Sequence, residues 1–164
     1  MARADLVRGE LEKCGIQFLV WLPDSEARYF YDSVSNSPHL RLVRVCHEEE
    51  AMGVCTGLYL GGKRAAVLIQ NTGFFHSIDS LRGRVMDSEI PMLLMLGYRG
   101  YHEMLEGKKP PDSAAAFTEP ILNTLGIKHY LVDADEDVEN ISLAYRETMA
   151  TNRPVAVLIG REYS

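Results

Sequence analysis

Short apolar runs alternate with longer amphipathic stretches along the whole chain. Leu6, Leu11 and Cys14 fall near helical spacing within Ala4 to Cys14, and Gly15 offers a stop. Gln17 to Leu22 is apolar, too short for a helix and closed by Pro23, which predicts a buried strand. The same reading predicts helices over Ser25 to Val34, Glu48 to Leu60, Ser77 to Met86, Ser113 to Leu125 and Glu136 to Ala150. It predicts strands over Leu40 to Val45, Ala65 to Gln70, Pro91 to Leu96, Lys128 to Val132 and Val155 to Ile159. Gly100 to Asp112, with Gly107, Pro110 and Pro111, reads as a loop. Strands alternating with helices predict an α/β fold with three layers, helices covering both faces of a six-stranded, mainly parallel sheet. These elements fill residues 1–164 as one domain.

Composition narrows the classes. The 164 residues carry 17 Lys and Arg against 23 Asp and Glu, a net charge of −6 with no basic stripe, which argues against a nucleic-acid partner. Apolar residues make up 46%, yet no run approaches the roughly 18 needed to span a bilayer, and Met1 to Arg8 lacks the apolar segment of a signal peptide. Three cysteines without a CxxC or CxxH pattern fit neither a disulfide framework nor a zinc site, and suggest reduced thiols in a cytoplasm.

In open α/β sheets, ligands gather beyond the carboxyl ends of the strands. That directs attention to residues 23–27, 46–50, 70–77 and 97–103. Gly57 to Lys63 imitates the start of a phosphate-binding P-loop, but Arg64 stands where Ser or Thr is needed. The glycines there also end a helix rather than begin one, which reads as a C-terminal cap. Glu48, Glu49 and Glu50 open a helix straight after a strand. They complement its dipole, but successive helical residues diverge by about 100°, so one of the three should face the interior.

The run His47 to Lys63 resembles the pyrimidine-domain motif of thiamine-diphosphate-dependent 2-oxo acid decarboxylases. In that motif a Glu precedes a Gly by nine residues in a helix rich in small residues, and a Gly-Lys turn leads into a strand. Only Glu48 stands at that distance from Gly57. Leu68 to Gly73 is similar to the Gln-Asn-Ser-Gly segment of the sulfopyruvate and phosphonopyruvate decarboxylases, and Leu96 to Gly100 to their Trp-Arg-Gly. The chain departs from them at Phe74 to Ser77, where the family carries Gly-Leu-Gly-Asn, and at Tyr98, where it carries Trp. Those departures should reshape the pocket.

The resemblance implies a carboxy-lyase with thiamine diphosphate as cofactor. Glu48 would be its catalytic residue, bonded to the pyrimidine ring nitrogen N1′, because a carboxylate in an apolar site readily shares a proton with a ring nitrogen. Gln70, Asn71, Thr72 and Gly73 would line the cofactor site, although strand-end capping is the plainer role for Gln70 and Asn71. Ser25 either lies over the substrate or caps a helix with Asp24. Arg99 suits a sulfonate, phosphonate or carboxylate, or else a salt bridge to Glu103 or a neighbouring subunit. Tyr98 would shape the substrate pocket, and His76 and His102 would relay protons, or sit as ordinary surface or core histidines.

The family holds Mg²⁺ and the diphosphate through Gly-Asp-Gly and a later Asn, and this sequence has no Gly-Asp-Gly. The resemblance therefore implies a diphosphate-binding β subunit as partner, in a hetero-oligomer with several copies of each chain and no metal ligand from this one. The implied substrate is a small anionic 2-oxo acid, sulfopyruvate first and phosphonopyruvate second. A carboligase subunit and a catalytically inactive ligand-binding or regulatory domain are the alternatives.

Overall fold

The computed structural model describes residues 3–23 and 28–160, with backbone alone for residues 28 and 29. The elements run α1 (Ala4–Lys13), β1 (Phe18–Trp21), α2 (Arg28–Ser35), β2 (Arg41–Arg44), α3 (Glu48–Leu60) and β3 (Ala65–Gln70). They continue with α4 (Asn71–His76), α5 (Ile78–Ser80), a π-helical turn over Leu81–Met86 and β4 (Met92–Gly97). Then follow α6 (Tyr101–Leu105), α7 (Ala114–Thr124), β5 (His129–Val132), a 3₁₀ turn at Asp135–Asp137, α8 (Asn140–Thr151) and β6 (Pro154–Ile159).

All six anticipated strands form one sheet in the order β2-β1-β3-β4-β6-β5, and every neighbouring pair is parallel. A strand points alternate side chains to opposite faces, and the core divides accordingly. Leu93 and Met95 of β4 enter one cluster with Val7 and Leu11 of α1 and Ile141 and Ala144 of α8. Met92, Leu94 and Leu96 enter the other, with Ala51, Met52 and Cys55 of α3 and Leu122 of α7. Both faces are thus covered, which is why the central strands read as continuous apolar runs rather than alternating ones.

Two stretches depart from the sequence reading. The helix predicted from Ser77 begins at Asn71, directly at the end of β3. Gly73 suggested a loop, but it lies inside the first turn of α4, where its carbonyl accepts the Ser77 hydroxyl at 2.9 Å. The loop predicted over Gly100 to Asp112 contains the short helix α6.

The Gly61-Gly62 step closes α3 as anticipated. Gly62 takes φ +72°, and Lys63 N–H returns to the Leu58 carbonyl at 2.9 Å. No helix among the described residues is long and apolar enough to cross a membrane.

The cysteines are free thiols, Cys46 exposed and Cys55 buried against β3. Burial pushes the Cys55 thiol up from 9.0 to about 12. The folded state therefore holds this proton more tightly than the unfolded chain does. The stability it contributes is complete below pH 9 and is lost as pH rises toward 12. We expect denaturant midpoints to fall across that window and the fall to shrink in Cys55→Ala. Iodoacetamide at neutral pH should label Cys46 and spare Cys55 until the chain unfolds.

Candidate active site

The end of β2 and the start of α3 place three carboxylates in different surroundings. Glu50 turns back to its own helix end, where Oε2 accepts the backbone N–H of Cys46 at 2.9 Å and of His47 at 3.3 Å. Glu49 points to solvent. Glu48 turns inward, its side chain only 18% exposed, and lies against Gly73 at the start of α4. A Cβ on Gly73 would stand 2.7 Å from the Glu48 Cδ and closer still to its Cγ. Glycine here is a requirement of space.

Among the described residues, no donor reaches the Glu48 carboxylate within hydrogen-bond distance. The nearest ring nitrogen is Nδ1 of His76, 3.7 Å from Oε2. The His76 ring is 66% exposed and stacks on His47, with centroids 6.0 Å apart and planes at 27°. A largely buried carboxylate normally has its hydrogen bonds met inside the fold. The described residues leave the acceptor capacity of this one unmet.

The rest of α4 and the β4 end build the floor. Thr72 donates its hydroxyl to Gln70 Oε1 at 2.9 Å. Asn71 is fully buried, and its Nδ2 donates to the Arg99 carbonyl at 3.1 Å and to Thr118 Oγ1 at 3.2 Å. Its Oδ1 is buried without a partner among the described residues. Asn71 therefore does more than cap a strand: it ties the start of α4 to the β4 loop and to α7. Asn71→Ala should cost about 1–3 kcal/mol in urea denaturation, since it strips donors from two buried acceptors.

The Arg99 guanidinium is part exposed and faces Asp112 at 3.4 Å, rather than Glu103. Tyr98 lies inside the fold. Its ring is 3% exposed and packs on Tyr101 with centroids 4.7 Å apart, and its hydroxyl donates to Glu119 at 3.0 Å. Burial first, then the Glu119 carboxylate, push its hydroxyl well above the usual tyrosine range. Tyr98 holds α7 against the end of β4.

His102 sits toward the β6–β5 side of the same edge, with Nε2 2.7 Å from Asp133 Oδ1. A Cβ on Gly160, just past β6, would stand 2.6 Å from that same oxygen. Ser25 lies outside the described residues. The structure thus brings Glu48, Gly73 and His76 together, places Gln70, Asn71, Thr72 and Arg99 beside them, and sets His102 apart. His47, Asp112 and Asp133 were not singled out from the sequence. Asp133 directly follows β5, so inspecting every strand end, and not four of them, would have found it. Among the described residues, no group of three or more His, Cys, Asp or Glu side chains could hold a metal ion.

The family model described as thiamine pyrophosphate enzyme, N-terminal TPP binding domain, matches residues 1–119. The chain belongs to this family. Two curated relatives are named sulfopyruvate decarboxylase subunit alpha. The one from Methanococcus maripaludis is 29% identical over 91% of this chain and 89% of its own length. The one from Methanothermobacter thermautotrophicus is 29% identical over 98% and 96%. A phosphonopyruvate decarboxylase of Streptomyces viridochromogenes is 30% identical over 59% of this chain and 24% of its own. Among solved structures, a 2-oxoglutarate:ferredoxin oxidoreductase from Magnetococcus marinus superposes with TM-score 0.74 over 98% of this chain and 29% of its own, at 20% identity. That likeness is one of fold. For a member of the thiamine pyrophosphate enzyme family, a Glu48 carboxylate beside Gly73 that no donor among the described residues reaches is chemically suited to an aminopyrimidine ring.

Proposed function

We propose that this chain is the pyrimidine-binding subunit of a thiamine-diphosphate-dependent decarboxylase that converts sulfopyruvate to sulfoacetaldehyde and CO2. The observation that carries this reading is the Glu48 carboxylate, four-fifths buried and without a donor among the described residues, in the gap that Gly73 leaves open. Relatives named as the alpha subunit of sulfopyruvate decarboxylase, matched over nearly their full length, support the substrate. The partial match to a phosphonopyruvate decarboxylase makes the phosphonate analogue the second substrate to try.

In this reading Glu48 shares a proton with N1′ of the pyrimidine, and its fixed position sets which ring tautomer is favoured. Gly73 keeps the space that this contact needs, and Gln70 and Thr72 border the same edge. Bound thiamine diphosphate supplies the ring that accepts the electrons released as CO2 departs. His76 offers the carboxylate proton exchange with solvent through its exposed ring. Arg99 receives the sulfonate by exchanging its long contact with Asp112 for a charge-assisted one. Asn71 acts beneath, by fixing the Arg99 backbone.

Mg²⁺ and the diphosphate fall to a separate β subunit bearing Gly-Asp-Gly and a later Asn, in an α/β hetero-oligomer. The chain acts as one pyrimidine-binding domain, and its free thiols suit the cytoplasm. The test is reconstitution with such a subunit, thiamine diphosphate and Mg²⁺. Release of CO2 and aldehyde from sulfopyruvate in preference to phosphonopyruvate and pyruvate is expected. A complex that binds the cofactor and releases CO2 from none of the three would overturn the reading.

A further inference from the structure

At the amino edge of the sheet, opposite Glu48, a cavity of about 180 Å³ opens between the end of α3, the starts of β3 and β4, and α8. Tyr59, Pro91, Tyr145 and Met149 give it apolar walls. Lys63 and Arg64 are exposed and stand at its rim. Neither has a carboxylate partner among the described residues: the Arg64 guanidinium makes only a 3.4 Å contact with the Cys14 carbonyl. Among the described residues no Asp or Glu lines the cavity, although the chain as a whole carries a net charge of −6. Two unneutralised cations over an apolar slot make a surface that selects an anion with an apolar body.

Size sets the body. Pockets for drug-sized ligands run to about 300–1,000 Å³, whereas a cavity of about 150 Å³ accepts a benzene ring. The walls carry two aromatic rings and a thioether, which pack well on a flat ring. Cys55, at the buried end, has its thiol raised to about 12 by burial and is neutral and unreactive here. Recognition is therefore non-covalent.

We propose that this cavity is a binding site for a small aromatic carboxylate, with the ring between Tyr59, Tyr145 and Met149 and the carboxylate at Lys63 and Arg64. Glu48 and Tyr59 lie at opposite ends of α3, about 17 Å apart by helical rise, so the site is separate from the Glu48 group.

Benzoate is the probe, titrated into the full chain and followed by NMR of labelled methionine methyl and tyrosine ring signals. Saturable shifts at Met149, Tyr59 and Tyr145 are expected, unchanged by Glu48→Gln. Affinity should fall about tenfold in the double variant Lys63→Ala/Arg64→Ala, and about tenfold for uncharged benzyl alcohol on the unaltered chain. Met149→Trp should fill the slot and abolish the shifts. Saturable shifts that leave Met149, Tyr59 and Tyr145 unmoved, equal binding of benzyl alcohol, or no saturable shift with millimolar benzoate would each overturn the proposal. None of these readouts depends on the partner subunit or on decarboxylation.

Discussion

Glu48→Gln is expected to lower CO2 release by about 10²–10⁴-fold, the usual range for loss of a positioned acid–base group, with little change in fold. Glutamine keeps the size of the side chain, so the contact with Gly73 survives. It loses the ability to share a proton with a ring nitrogen. Glu49 and Glu50 still complement the α3 dipole, so the stability cost should stay within about 0.3–1 kcal/mol. The check is a pair of measurements on the reconstituted complex: turnover and urea midpoint. Glu49→Gln is the matched control. Its side chain is exposed at the same helix end, so it removes the same charge from the dipole and should leave turnover unchanged.

Gly73→Ala is expected to separate stability from activity in a different way. Alanine is favoured over glycine inside a helix by about 0.5–1 kcal/mol, and α4 takes ordinary helical backbone at this position. The added methyl collides with a side chain that can swing away: Glu48, whose Cδ would be 2.7 Å from it. The carboxylate is therefore displaced, while the sheet and its core remain. A displacement of roughly 1 Å at a positioned group costs on the order of 10² in rate. We expect thermal stability equal to or above that of the unaltered chain, turnover down by about 10²-fold, and weaker thiamine diphosphate binding by calorimetry. A stable Gly73→Ala complex with full turnover would show that the Glu48–Gly73 contact has no part in positioning.

Much of this architecture is legible in the sequence, for a physical reason. A strand buried on both faces must be apolar, and residues 65–69, 92–96 and 154–159 are. The breaks between them carry glycine or proline where the chain turns. That one of Glu48, Glu49 and Glu50 turns inward was legible through geometry, because three consecutive helical carboxylates cannot share one environment, whereas the choice of Glu48 rested on resemblance. What escaped depends on contacts across the sequence. Gly73 resembles a loop signal until the side chain that needs its space is known to sit 25 positions earlier. Tyr98 follows a strand at the ligand edge, and nothing local to it reveals that α7 will cover it and offer Glu119. His47 precedes the carboxylate run as an ordinary polar residue, and only the fold stacks it on His76.

In the proposed function, Glu48 activates the cofactor through its pyrimidine ring. The most direct test is hydrogen–deuterium exchange at the thiazolium carbon C2 of thiamine diphosphate bound to the reconstituted complex, followed by NMR after rapid quench. Exchange is expected to be fast with Glu48 present and slowed by about 10²-fold or more in Glu48→Gln with the cofactor still bound. Equal exchange rates in the two complexes would contradict it and move the activating group elsewhere in the assembly.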